Sequence, residues 1–371
     1  MEFSAEASVL KESLNIVTRA LAPRPPKQIL EGVMISAAAD GEITLTCSDG
    51  SMSIEADLTG VVDQEGSTVA PGRLFTEMMH KLPGGNVYFS LKDSKAAIRC
   101  MSYRSNLSCM SPVEYPEMPV IYGNISITVP QRRLKEMISR VVFSIATDEN
   151  RMLLTGCLME ITPTELRLVA LDGFRMALQK NAGEYTLPEG TDMARLVIPG
   201  RVMNELAKVL PDSDDPCELV FDSSRMQVRF GNIRMSSVLL SGEYIDYHRI
   251  LPTTFVSTAT VKRAELNNAI DRASLMAREG KNNLVRLNFE NDVLTVSSNA
   301  EMGDVREEIE ISMNGKPMNI AFNAKYVVDA IRAIPDDTIV MNFNSNVSPC
   351  VITSVEEGAY LYLILPVRVF Q

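Results

Sequence analysis

The stretch Leu196–Leu210, LVIPGRVMNELAKVL, has the pattern of a short apolar strand, a turn and then a helix. Pro199 and Gly200 break the strand, and proline suits the approach to a helix because its missing N–H would be unpaired there anyway. The apolar residues that follow at helical spacing are Val202, Leu206, Val209 and Leu210. This spacing predicts a helix with one buried face, and Pro211 with Asp212 predicts its end.

The same pattern occurs twice more in the chain. Val69–Pro83, VAPGRLFTEMMHKLP, precedes it, and Ile320–Asp336, IAFNAKYVVDAIRAIPD, follows it. The segments Ser111–Gly123 and Gly242–Pro252 separate the copies. We therefore predict three domains, each built from two similar strand–helix–strand units: 1–123, 124–252 and 253–371. Similar units joined by edge-to-edge strand pairing produce an arc or a ring, and a closed ring leaves no free sheet edge.

The composition is that of an ordinary globular protein, with 371 residues, 46% hydrophobic and 22% charged. No apolar run approaches the roughly 18 residues of a membrane span, and the N-terminal segment does not resemble a signal peptide, so we expect a cytoplasmic protein. Six cysteines without a CxxC pair are expected to be reduced, buried thiols. With only two histidines, a metal site or a hydrolase triad is poorly supplied, and we predict no metal and no cofactor.

The net charge of −11 argues against nucleic-acid binding unless the charges are segregated. Lys and Arg outnumber Asp and Glu in each of the predicted helix segments, which are 6–27, 72–81, 131–140, 200–208, 262–281 and 323–332. A positive inner wall with an acidic exterior would suit a ring around a polyanion. The alternative is that these residues only solvate helices, because Lys and Arg are good helix formers.

Four segments resemble the bacterial sliding clamps, the beta subunits of DNA polymerase III. Leu171–Met176, LDGFRM, is similar to the family's T-D-G-H-R-L, and Tyr244–Pro252, YIDYHRILP, is similar to F-P-D-Y-x-R-V-L-P. The ending Leu365–Arg368 is similar to M-P-M-R, and Arg151–Gly156 precedes the second domain's sheet as in the family. The resemblance covers the whole chain.

The resemblance implies an α+β chain of three tandem DNA-clamp domains that forms half of a closed ring, with helices inside and sheets outside. Two chains would join head to tail as a homodimer around duplex DNA, without sequence preference. The family is a non-catalytic processivity factor of DNA replication that tethers the polymerase by topology. The implied partners are the DNA polymerase III alpha subunit, the clamp loader and other proteins with a clamp-binding motif.

In the family, partners insert a peptide of the type Q-L-x-L-F into a cleft between the second and third domains. The matching residues here are Leu154, Leu171, Gly173, Phe174, Arg175, Met176, Ile245, Arg249, Ile250, Val347, Pro349, Ile364, Leu365, Pro366, Val367 and Arg368. An apolar trough with a few arginines suits leucine and aromatic anchors. Leu171, Phe174 and Ile245 replace the family's Thr, His and Pro, which predicts a more apolar cleft; we also expect Phe370 near its rim.

The resemblance also implies DNA-contacting and dimer residues. The candidates for phosphate contacts are Arg24, Lys27, Arg73, Arg132, Arg133, Arg140, Arg151, Arg201 and Lys262. The candidates for the dimer contact are Arg104, Leu107, Leu275, Met276, Glu307 and Glu308. We expect Leu107 to meet Leu275 and Met276, and Arg104 to face Glu307 or Glu308.

Three alternatives remain open. An enzyme is disfavoured because Asp49–Gly50 and Asp172–Gly173 fit hairpin turns and no Walker A, HExxH, GxSxG or EF-hand motif occurs. A repeat-built scaffold that binds peptides but not DNA is the second alternative. The third stays within the family: a specialised or inhibitor-resistant second clamp with an altered cleft.

Overall fold

The computed structural model describes residues 1–22, 24–355, 358 and 360–368, except for the side chain of Lys281. Its helices are α1 (Ala7–Val17), α2 (Gly72–Lys81), α3 (Gln131–Ser139), α4 (Gly200–Val209), α5 (Arg263–Glu279) and α6 (Ala324–Ala333). Its first thirteen strands are β1 (Glu2–Glu6), β2 (Gly32–Ala37), β3 (Glu42–Ser48), β4 (Met52–Thr59), β5 (Val61–Gln64), β6 (Gly66–Pro71), β7 (Asn86–Lys92), β8 (Lys95–Cys100), β9 (Tyr103–Ser108), β10 (Ile125–Pro130), β11 (Gly156–Ile161), β12 (Glu165–Leu171) and β13 (Arg175–Ala182). The strands that follow are β14 (Ala194–Pro199), β15 (Pro216–Phe221), β16 (Arg225–Phe230), β17 (Ile233–Val238), β18 (Ser257–Lys262), β19 (Leu284–Glu290), β20 (Val293–Ala300), β21 (Gly303–Glu310), β22 (Ser312–Gly315), β23 (Met318–Asn323), β24 (Thr338–Phe343), β25 (Cys350–Ser354) and β26 (Tyr360–Ile364).

The first compact unit comprises Met1–Leu134 and Lys208–Leu239. It contains a five-stranded sheet in the order β5-β1-β7-β8-β9 and an eight-stranded sheet in the order β10-β15-β16-β17-β4-β3-β2-β6. In the larger sheet, β17 pairs with β4 in antiparallel register from Ile233 opposite Ala56 to Ser237 opposite Met52. This pairing joins strands from the first and second thirds of the sequence edge to edge, as the repeats predict.

The second compact unit comprises Lys135–Ala207 and Leu240–Gln371. It contains a nine-stranded sheet in the order β14-β11-β12-β13-β26-β25-β24-β18-β22 and a four-stranded sheet in the order β21-β20-β19-β23. Here β13 pairs with β26 from Arg175 opposite Ile364 to Gln179 opposite Tyr360. The second and third parts of the sequence are therefore joined in the same way as the first two.

The Pro-Gly turn of the repeat has a packing reason. In the first two copies the strand ends at the proline and the helix begins at the glycine, which is Gly72 or Gly200. A Cβ atom at Gly72 would lie 2.6 Å from the carbonyl oxygen of Glu31, and one at Gly200 would lie 2.6 Å from that of Thr155. Glycine is therefore needed for close backbone approach, whereas fully buried Ala324 begins the helix of the third copy.

Fewer helices carry an excess of Lys and Arg over Asp and Glu than the sequence predicts. Within their structural bounds, α2, α3, α4 and α6 carry more Lys and Arg than Asp and Glu, but α1 and α5 carry equal numbers. The basic excess of the first segment comes from Arg19, Arg24 and Lys27, beyond the end of α1. The predicted basic excess is thus wrong for α1 and α5 within these bounds, because Arg19 lies in the 3₁₀ turn Thr18–Ala20 that follows α1 and Lys262 precedes α5.

All six cysteines are free and buried, as expected of reduced thiols. Burial raises the pKa of the Cys157 and Cys217 thiols to about 12, so both stay protonated at neutral pH. Among the described residues, no group of three or more His, Cys, Asp or Glu side chains could hold a metal ion. No helix in the described part of the chain is both long and apolar enough to cross a membrane.

Candidate peptide cleft and nucleic-acid surface

A buried apolar cluster in the second unit contains several of the predicted cleft residues. Leu154, Leu171 and Met176 belong to this cluster, and Leu365 packs against it. Leu171 lies opposite Met176 across β12 and β13, and Met176 lies opposite Leu363 across β13 and β26. The sequence-predicted residues from three distant segments therefore meet on one face of the nine-stranded sheet.

Four of the other predicted cleft residues are exposed apolar side chains. Phe174, Ile245, Ile250 and Val347 are 58%, 45%, 39% and 57% exposed. Phe174 is tied to Leu365, whose N–H donates to the Phe174 carbonyl at 2.8 Å. We use the name apolar cleft for the floor residues Leu154, Leu171, Met176, Leu363 and Leu365 together with the predicted rim residues Phe174, Ile245, Ile250 and Val347. Exposed apolar side chains around a buried apolar floor are the features of a site for apolar anchors.

The remaining predicted cleft residues differ in their positions. Pro349 immediately precedes β25, whose Cys350 lies opposite Ile364. Arg249 is exposed, and its guanidinium bonds to Asp246 at 2.9 Å. Val367 donates its N–H to the Ala321 carbonyl at 2.8 Å, between half-buried Pro366 and exposed Arg368. Phe370 lies outside the described residues.

Strand alternation puts two of the predicted residues on the opposite face of the sheet. Arg175 and Ile364 are direct partners, and their neighbours Met176 and Leu363 point to the cleft face. Ile364 is therefore directed away from the cluster that contains Leu363 and Met176, so it does not line the apolar cleft. Leu363, two residues before Leu365, lies on the same face as Leu365 and belongs to the cluster, although no family motif includes it.

Asp172 and Gly173 form a hairpin turn, as the sequence predicts. The Asp172 Oδ1 atom accepts the N–H groups of Phe174 and Arg175 at 2.9 and 3.0 Å. Gly173 has a φ of +91°, which a side-chain-bearing residue rarely adopts. Asp49 accepts two backbone N–H groups in the same way in the first unit. Both carboxylates are thus used by their own turns, which favours structure over chemistry.

Arg175 organises the other face of this turn. Its guanidinium contacts Asp172 at 3.0 Å and Asp329 of α6 at 2.6 Å, and it also donates to the Phe143 carbonyl. It lies 4.6 Å from the centre of the Tyr326 ring, and the Phe174 ring stacks on that same tyrosine at 6.1 Å. The side chain is only 8% exposed. Arg175 therefore fixes the turn that carries Phe174 to helix α6.

Two DNA candidates of the second unit lie together. Arg151 and Arg201 both line a pocket of ≈ 830 Å³, with Lys325 and Tyr326 on α6. The Arg151 guanidinium lies against Gly173, where a Cβ atom would be 2.7 Å from its Nη1 atom. Arg140 pairs with Glu136 at 3.3 Å, and exposed Lys262 pairs with Glu265 at 3.0 Å.

The first unit holds further cationic candidates. Arg24, Lys27 and Arg73 are exposed, and Arg133 is half-buried. Arg132 is exposed, but Asp212 lies 2.8 Å and Asp214 3.7 Å from its guanidinium. Neighbouring carboxylates therefore neutralise part of the charge that Arg132 could offer to a phosphate.

The dimer candidates lie on or beside strands that end sheets. β9 carries exposed Arg104 at one edge of the five-stranded sheet, and β21 carries Glu307 and Glu308 at one edge of the four-stranded sheet. Leu107 is 5% exposed within its own chain, so it has little surface left for Leu275, which is 64% exposed.

Both acidic dimer candidates already have intrachain partners. Glu307 bonds to Arg272 of α5, and Glu308 bonds to Arg306 at 3.0 Å. The hydrogen bond from Arg272 lowers the pKa of Glu307 below its usual range. An ion pair with Arg104 would have to share or replace these contacts.

Comparison with known proteins identifies the class of this fold. Models of the N-terminal, central and C-terminal domains of the DNA polymerase III beta subunit match residues 1–119, 128–246 and 248–368. The beta sliding clamp of Staphylococcus epidermidis is 33% identical over the full length of both chains. The crystal structures of the Bacillus subtilis sliding clamp and the Thermotoga maritima beta subunit cover the whole of both chains, with TM-scores of 0.95 and 0.92 at 33% and 28% identity.

These matches define a DNA-clamp fold of three domains. The chain belongs to the DNA polymerase III beta subunit family, the beta sliding clamps.

Proposed function

We propose that two copies of this chain close head to tail into a ring around duplex DNA and hold the replicative polymerase there through the apolar cleft. The observation that carries the proposal is the match of the clamp family along the full chain. The domain division at 1–123, 124–252 and 253–371 is part of it. The ring acts in the cytoplasm as a processivity factor, performs no chemistry itself, and is opened and closed by the clamp loader.

The sheet edges support head-to-tail closure. β9 and β21 each end a sheet, and an edge strand offers unpaired N–H and C=O groups to a second chain. Joining the β9 edge of one copy to the β21 edge of another uses different surfaces of the two chains, which is the heterologous contact that builds rings. Two such contacts close a ring of two copies.

The DNA surface in this proposal uses phosphate contacts only. Arg24, Lys27, Arg73, Arg151 and Arg201 are exposed cations on a chain whose net charge is −11. Contacts to phosphates fix position without reading sequence, as a sliding protein requires.

Retention on circular DNA tests the ring directly. The chain is loaded by a bacterial clamp loader and ATP onto nicked circular DNA and then passed over a sizing column. We expect co-elution with the circle and release after a restriction enzyme linearises it, because a topological link ends at a free DNA end. Equal retention on linear and circular DNA would contradict the ring, and no retention on either would favour the peptide-binding scaffold.

The cleft is tested by replacing Ile250 with alanine. We expect the affinity for a fluorescent peptide containing QLSLF to fall by about tenfold, because a half-exposed aliphatic rim side chain loses its contact with an apolar anchor. Fluorescence anisotropy measures the change. The matched control is Met193→Ala, since Met193 is 41% exposed and lies away from the cleft floor. It precedes Ala194, which pairs with Ile161 at the far end of β11, whereas Leu154 precedes the other end of β11 at Gly156. An unchanged peptide affinity of the Ile250 variant would show that Ile250 does not contact the peptide.

One observation favours a clamp with specialised partners. Phe174 stacks on Tyr326 at an interplanar angle of 22°, which joins two aromatic rings at the rim. The family's motif has histidine at this position, so the rim here is more apolar. Competition between peptides that differ only in their aromatic anchor distinguishes such a clamp from one with the usual preference.

A further inference from the structure

We propose that the hydrogen bond between Tyr247 and Glu160 is a latch that fixes the wall of the apolar cleft. The proposal rests on the proposed peptide-binding function and assigns a positioning role to two residues that do not belong to the cleft. The wall in question is the segment Gly242–Pro252, which carries the rim residues Ile245 and Ile250.

The acceptor of the latch is a buried carboxylate on the central part of the sheet. Glu160 is 2% exposed on β11, and its direct neighbours are Arg167 on β12 and Arg195 on β14. Its Oε1 atom lies 3.2 Å from Arg195 Nε, and its Oε2 atom lies 3.9 Å from Arg167. A buried carboxylate needs such partners, because the loss of hydration is otherwise uncompensated.

The donor of the latch comes from the segment that covers the sheet. Tyr247 is fully buried, and its hydroxyl donates to Glu160 Oε2 at 2.6 Å. Burial raises the pKa of the Tyr247 phenol, so the proton stays on the hydroxyl throughout the neutral range. Hydrogen bonds to a charged partner are stronger than neutral ones, so this contact ties the segment to the sheet.

The Tyr247 ring connects the latch to the cleft floor. Tyr247 belongs to the same apolar cluster as Leu171 and Met176. The Ile250 N–H donates to the Tyr247 carbonyl at 3.0 Å, within a single turn of 3₁₀ helix, so Ile250 moves with Tyr247. Ile245 lies two residues before the latch on the other side. Fixing Tyr247 therefore fixes both exposed isoleucines, which lowers the entropy lost when a peptide binds between them and the floor.

The chain offers a matched control in its first linker. Tyr115 is 8% exposed, and its single hydroxyl proton is shared between the backbone carbonyls of Gly32 and Thr46, at 3.2 and 3.1 Å. It lies in the first compact unit, whereas all the residues of the apolar cleft lie in the second. Tyr115→Phe therefore removes a buried tyrosine hydroxyl without touching the latch.

The experiment compares Tyr247→Phe with Tyr115→Phe in the full chain. For Tyr247→Phe we expect the affinity for the QLSLF peptide to fall by about five- to tenfold. The variant lacks the charge-assisted hydrogen bond that holds Ile245 and Ile250 in place before the peptide binds. Amide exchange measured without peptide should become faster in residues 244–251 and remain unchanged in β12 and β13. Tyr115→Phe should leave both readouts at their wild-type values, although it lowers the melting temperature.

The Glu160→Gln variant weakens the same bond from the sheet side. It should also speed exchange in residues 244–251, and the double variant Tyr247→Phe/Glu160→Gln should lose no more affinity than the stronger single one. Wild-type exchange of the segment in Tyr247→Phe would overturn the latch whatever the peptide does. A wild-type chain that does not bind the peptide would instead overturn the cleft itself.

Discussion

Replacing Arg175 with methionine is expected to lower the free energy of unfolding by about 3 kcal/mol, because a largely buried ion-pair network loses its buried cation. Asp172 loses its bond to the guanidinium, and Asp329 keeps its contact with the exposed ammonium of Lys325. Asp172 and Asp329 both bond to this guanidinium, and they are 15% and 21% exposed. Methionine fills much of the same volume, so the decrease in the free energy of unfolding measures the loss of the charge and its hydrogen bonds rather than the creation of a cavity. The measurement is urea unfolding followed by far-UV circular dichroism.

Arg332→Met is the matched control for this prediction. Arg332 lies on α6 and, like Arg175, bonds to an aspartate, Asp271 at 2.8 Å, but its side chain is 61% exposed. Exposed ion pairs contribute only about 0–1 kcal/mol, so this variant should unfold close to the wild-type midpoint. Equal midpoints for the Arg175 and Arg332 variants would show that the Arg175 network adds little to stability.

Local sequence patterns predict the repeated elements of the fold, whereas the contacts between distant segments are visible only in the structure. The strand–turn–helix repeat was predictable because the Pro-Gly break and the helical spacing are local signals. Its helices begin at Gly72 and Gly200, the glycines of that break. The reason for those glycines was not predictable, because the carbonyls of Glu31 and Thr155 that approach them come from distant segments.

In the candidate site, too, the sequence predicted residues but not all of their contacts. Family motifs identified Leu171, Met176 and Leu365, which the structure brings to one apolar cluster. Motifs do not report which face a strand residue occupies, so Ile364 was included although strand alternation points it away from the cluster. Glu160 carried no signal at all, because an isolated glutamate in an apolar strand gains meaning only from its neighbours on β12 and β14.

The dimer is tested most sharply at an exposed leucine. Replacing Leu275 with aspartate is expected to weaken dimer association by about 100-fold, because a charge would replace the apolar contact that we propose for Leu275 at the junction. Leu275 is 64% exposed on α5, so the substitution should not disturb the single chain. Sedimentation equilibrium should then shift from twice the 41.0 kDa chain mass towards the mass of one chain.

Val61→Asp separates interface chemistry from the general effect of a surface charge. Val61 is 63% exposed on β5, which ends the five-stranded sheet at the edge opposite β9. This variant should remain a dimer and stay threaded on circular DNA, whereas Leu275→Asp should lose both properties together. Since a ring holds DNA only while both junctions are closed, a Leu275 variant that dissociates yet stays on circular DNA would contradict topological tethering. A Leu275 variant that remains a dimer would move the junction away from this part of α5.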